Sequence, residues 1–99
     1  MKEEGELFMA NGISVERAGL QSGVQVCNTC IHELKSTAQS LQNSYQNASS
    51  GWKDENYAKL GRIVEECIAA LKEPIPDIED SMKTLNEMLS IIDQAEEVF

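Results

Sequence analysis

The chain has 99 residues, with 17 Asp plus Glu against 8 Lys plus Arg, a formal charge of −9, and five aromatic side chains. One small domain fits that length, and the acidity excludes a surface built to grip nucleic acid or an anionic bilayer, both of which need clustered Lys and Arg. Abundant Gln, Glu, Ala, Leu, Lys and Met, without alternating β-branched runs, predict an all-α fold. The specific architecture expected is an antiparallel two-helix hairpin that pairs into a four-helix bundle dimer.

Residues 1–12 have no sustained period and include Gly5, Asn11 and Gly12, so a flexible lead-in is expected. The acidic start lacks the features of a secretory leader, and no apolar run approaches bilayer length. Synthesis as a soluble cytoplasmic protein is therefore expected, with any export proceeding without a cleavable signal.

Helix 1 is expected over residues 13–48, with Ser14 as its N-cap. Leu20, Val24, Cys27, Ile31, Leu34, Ala38, Leu41, Tyr45 and Ala48 recur at steps of four and three, a heptad seam. Beside it run Gly23, Cys30, Thr37 and Ser44 at sevens, all small enough for a neighbouring helix to approach closely. Residues 13–48 hold two acidic and two basic side chains, so this half is neutral.

The stretch Gln46 to Tyr57 gathers Asn, Ser, Gly and Asp with the single tryptophan, Trp52, and predicts a bend over residues 49–53. Asp54 suits the N-cap of a second helix over 54–98, and Glu55 suits the positive end of its dipole. A seam resumes at Tyr57, Leu60, Val64, Cys67, Leu71, Pro74, Ile78, Ser81, Leu85, Met88, Ile92, Ala95 and Phe99. It keeps phase across Pro74 and Pro76, favouring one helix kinked at Glu73 to Pro76, although each interior proline costs about 3 kcal/mol and a break is the alternative. A further apolar column, Ile68, Ile75, Met82 and Leu89, adjoins this seam. A lone hairpin buries one stripe per helix, so this column, with Leu60 and the small-residue column, is expected to face a partner.

Little catalytic chemistry is legible. Cys27-Asn-Thr-Cys30 has dithiol spacing but lacks the strand–helix setting of a redox centre, and Cys27 and Cys67 read as small seam fillers. His32 with the three cysteines reads as a solvated side chain rather than a zinc site. The acidic pairs Glu65-Glu66, Glu79-Asp80 and Glu96-Glu97 read as solvated helix face. No enzyme, metal or cofactor is expected.

An acidic, leaderless hairpin of this length with tryptophan at the bend resembles the WXG family of small type VII secretion substrates. The resemblance covers residues 13–99 in layout, with Trp52 matching the motif tryptophan in Gly51-Trp52-Lys53-Asp54, Asp54 standing where the motif glycine belongs, and Leu60 where members place a bulky apolar residue. The family's Tyr-x-x-x-Asp/Glu export signal is absent after helix 2. The resemblance implies a homodimer or a heterodimer with a related hairpin or the helical N-terminal region of a toxin, acting as a secreted substrate or as the targeting partner of a larger effector. A cytoplasmic coiled-coil adaptor unrelated to secretion would carry the same heptads.

Overall fold

A computed structural model describes the backbone of residues 7–10 and 13–98 and the side chains of residues 16–95. In order these form β1 (Leu7–Ala10), β2 (Ile13–Glu16), α1 (Arg17–Ala48), α2 (Glu55–Lys72) and α3 (Ile75–Val98). The helical class expected from composition holds: every buried side chain described belongs to a helix.

The strands pair antiparallel, from Leu7 with Glu16 to Ala10 with Ile13. Helix 1 therefore starts at Arg17 rather than Ile13, and Ser14 lies in β2 instead of capping a helix. The local cause is legible: Ile13 and Val15 are β-branched at alternate positions, and Asn-Gly is the strongest sequence signal for a two-residue hairpin turn. For residues 1–6, 11 and 12, the flexible lead-in lies outside the described residues.

The chain divides into two compact units, Met1–Thr29 with Ile78–Phe99, and Cys30–Asp77. In the first, the opening turns of α1 run antiparallel to α3, with Leu20 and Ile92 buried and Arg17 ion-paired to Asp93. Gly23 permits their close approach, since a Cβ there would lie 3.1 Å from Cδ1 of Leu85. In the second unit the remainder of α1 runs antiparallel to α2, and Ile31, Ala38, Val64 and Ile75 are buried.

All nine seam positions of α1, from Leu20 to Ala48, are buried or half-buried. Along α2 and α3 the inward positions are Tyr57, Gly61, Val64, Ile68, Leu71, Ile75, Ile78, Met82, Leu85, Leu89 and Ile92, none of them exposed. This corrects the expected seam, because Leu60, Cys67, Pro74 and Ser81 are exposed. The row at 57, 64, 71, 78, 85 and 92 is common to two heptad frames, and spacing does not choose between the companion rows. Hydrophobicity does, since Ile68, Ile75, Met82 and Leu89 bury more apolar surface than Cys67, Pro74, Ser81 and Met88.

Helices α2 and α3 are parted by only Glu73 and Pro74. Glu73 keeps right-handed helical angles (φ −56°, ψ −44°), and its amide still donates to the Ala69 carbonyl at 2.9 Å. Pro76 is the second residue of α3, within the first turn, where an amide has no intrahelical acceptor. It forfeits no helical hydrogen bond there, so the penalty of an interior proline does not apply to it.

Candidate functional site

The corner between α1 and α2 is held by hydrogen bonds on both of its flanks. The amides of Ser49, Ser50 and Gly51 donate to the carbonyls of Gln46, Asn47 and Ala48 at 3.1, 3.3 and 3.2 Å, satisfying acceptors that the end of a helix leaves open. The hydroxyls of Ser49 and Ser50 donate to the Gln46 and Asn47 carbonyls at 2.7 and 3.0 Å. Asp54 is extended (φ −133°), and its Oδ1 accepts from the Tyr57 amide at 3.0 Å, the N-cap bond that starts α2.

Above the corner, two tyrosines clasp the helices. Their rings stack with centroids 4.3 Å apart and 7° between planes. The Tyr45 hydroxyl donates to the Tyr57 carbonyl, and the Tyr57 hydroxyl donates to the Tyr45 carbonyl, each at 2.9 Å. Trp52 meets Tyr57 edge-on, with centroids 5.4 Å apart at 74°, and retains 39% of its surface exposed. The indole thus braces the bend and keeps part of its surface open to solvent. Partial burial, then the side-chain hydrogen bond with Tyr57, then the charges of Tyr57 and Glu65, raise the Tyr45 phenol above its ordinary 10.0. Gly61 makes the clasp possible, since a Cβ there would lie 2.8 Å from Cζ of Tyr45.

The residues expected to face a partner are divided by the structure. Ile75 is only 7% exposed and belongs to the core of its unit; Ile68, Met82 and Leu89 are half-buried on the inward row. The surplus inferred for that column is therefore taken up largely within the chain. Gly23 is half-buried against Leu85, while Cys30, Thr37, Ser44, Gly51 and Asp54 are exposed. Leu60 stays 37% exposed and is joined by a residue that seam counting passed over, Ile63, at 56%. With Cys67 and Ala70, also exposed, they form an apolar row on the outer side of α2. The signal was available: 60, 63, 67 and 70 step by three, four and three.

A groove of about 530 Å³ also opens in the Cys30–Asp77 unit. Its floor includes Ala38, Ile68, Ile75 and Pro76, and its rim carries Lys35 and Lys72 without an acidic side chain. The three cysteines are free thiols, Cys30 and Cys67 exposed and Cys27 half-buried. Among the described residues no three His, Cys, Asp or Glu side chains gather to hold a metal ion, and no helix is long and apolar enough to cross a membrane.

Comparison with protein-family models, with curated proteins and with solved structures finds no match to this chain.

Proposed function

We propose that the chain is a WXG-like helical protein of a type VII secretion system, either a secreted substrate or the targeting and accessory partner of a larger effector. It works by helix-to-helix contact rather than by catalysis. The observation that carries this reading is the corner: a lone tryptophan set at a tight bend between antiparallel helices, followed at the third motif position by a residue that starts the second helix. Asp54 and glycine are both accepted at an N-cap, so Trp-x-Asp preserves the local work of Trp-x-Gly. The partner is a related hairpin, of its own or another sequence, or the helical N-terminal region of a toxin; neither nucleic acid nor a bilayer interior is its target.

Export provides the test. The protein is followed in culture medium and cell pellet of its host, with the membrane ATPase of the secretion system present or deleted. A substrate reaches the medium only when the ATPase is present; an accessory partner stays in the cell, and removing it abolishes export of an effector that co-purifies with it. Equal distribution in both strains, with effector export unchanged, would leave the cytoplasmic adaptor as the correct reading.

A further inference from the structure

We infer that the groove of the Cys30–Asp77 unit binds a small amphipathic anion, a medium-chain aliphatic carboxylate, with its charge held between Lys35 and Lys72 and its tail on the apolar floor. The inference goes beyond the proposed function and does not rest on it.

The two lysines differ from every other base in the helices of this acidic chain. Side chains three or four residues apart on a helix are neighbours, and most helical bases here have an acid at that spacing. Lys59 has Glu55, at 4.0 Å. Arg62 has Glu65 and Glu66, and Lys83 has Glu79, Asp80 and Glu87. Arg17 is ion-paired to Asp93. By contrast, the positions three and four from Lys35 are Ile31, His32, Ala38 and Gln39. Those from Lys72 are Ile68, Ala69, Ile75 and Pro76. None is acidic, and among the described residues neither lysine makes an ion pair. These same two bases line the groove, and no acid among the described residues lines it with them.

The backbone also aims them at each other. Tyr45 and Tyr57 clasp reciprocally across the bend, so they mark one level on α1 and α2. Lys35 lies ten residues from that level on α1 and Lys72 fifteen on α2, a difference of about 7.5 Å along the axis. Every Cα–Cβ bond leans toward the N-terminus of its own helix. Because the helices are antiparallel, Lys35 leans away from the bend and Lys72 leans back toward it. The two ammonium groups therefore converge from opposite walls, unneutralised, over low-dielectric side chains that concentrate their field.

Beneath them Ala38 and Ile75 are buried and Ile68 is half-buried, and a tail laid along them removes further apolar surface from water. The groove measures about 530 Å³, within the 300–1,000 Å³ typical of small-molecule sites. Its walls run from Lys35 to Gln42 and from Ile68 to Pro76, about 10–12 Å. Two turns are too short a seam for a partner helix and long enough for one aliphatic chain with a charged end. A ligand of about ten non-hydrogen atoms is expected to bind with a dissociation constant on the order of 1 mM.

Titration of the full, ¹⁵N-labelled chain with sodium octanoate, below its micellar concentration, tests the inference. Saturable amide shifts are expected at Ala38, Gln42, Ile68 and Lys72, with helicity unchanged. Acetate, 1-octanol and octyltrimethylammonium, which supply the charge alone, the tail alone, or the tail with the opposite charge, should each bind about tenfold more weakly. Lys35→Gln and Lys72→Gln should each weaken octanoate about three- to tenfold, and Lys83→Gln, on α3, should leave it unchanged. All three lysines are exposed, so these variants keep the fold. Octanol binding as tightly as octanoate, lysine variants that bind like the wild type, or shifts that never saturate would each overturn the inference. So would an acidic amphipathic peptide that shifts these amides while octanoate does not, since the groove would then belong to a protein partner. None of these results depends on export, so failure here leaves the secretion reading standing, and the reverse.

Discussion

Gly61 and Tyr45 occupy a space that holds only one side chain. An alanine methyl at 61 would sit 2.8 Å from Cζ of Tyr45, well inside contact distance, so the ring must leave its stack on Tyr57. Gly61→Ala is therefore expected to destabilise the protein by about 1–3 kcal/mol, although alanine is otherwise the better helix former by about 1 kcal/mol. A lowered urea midpoint at unchanged slope would register it; an unchanged or raised midpoint would mean that Tyr45 does not depend on this gap. The Tyr45 phenol gives a second residue-level expectation. Its partial burial and its bond with Tyr57 raise it in the folded state above the ordinary 10.0, so the fold favours the protonated form. That contribution is fully present below pH 10 and is lost as pH rises through the folded value, because the unfolded chain releases the proton first. Urea midpoints taken across the alkaline range should fall above pH 10 for the wild type and less steeply for Tyr45→Phe; parallel curves would contradict this.

At the scale of the element, the inward seam of α1 was legible although its first residue was not, and the seam of the helices after the bend was only half legible. Seven of the nine positions of the α1 seam are flanked by Gln, Ser, Asn or Thr, and Leu34 lies between Glu33 and Lys35, so a single stripe stands out. Along α2 and α3 both rows beside the shared one contain apolar residues, and a count at steps of three and four accepts either. The row with the larger side chains is the one that folds inward, which buries Ile75, half-buries Ile68, Met82 and Leu89, and leaves Leu60 outside. The correction has an energetic signature. Ile75→Ala should cost about 2–5 kcal/mol, whereas Cys67→Ala, on the exposed row, should stay within about 0.5 kcal/mol. Equal costs at the two positions in chemical denaturation would reverse the assignment of frames. The β1–β2 ribbon was missed for another reason: attention to helical period passes over a turn signal as short as Asn-Gly.

For the whole molecule, composition forecast the helical class, and the bend was placed by the cluster of Ser, Gly, Asn and Asp with Trp52. Less accessible from the sequence was the division of labour among surfaces. Among the side chains described, six apolar ones are buried, and many of the other apolar side chains along the helices are only half-covered. Half-covered rows look alike on paper, and their exposure follows from which helix lies opposite, a tertiary fact. The excess of acid is placed where it can remain hydrated: twelve Asp plus Glu against five Lys plus Arg lie in residues 53–99, and no charged side chain is buried among the described residues.

The mutual grip of Tyr45 and Tyr57 has a kinetic consequence. The two residues are only twelve apart, and closing so short a ring sacrifices less chain freedom than any pairing further from the bend. Helix zippering in this unit is therefore favoured to begin beside the indole and to travel away from it, each successive heptad layer joining residues already brought near by the one before.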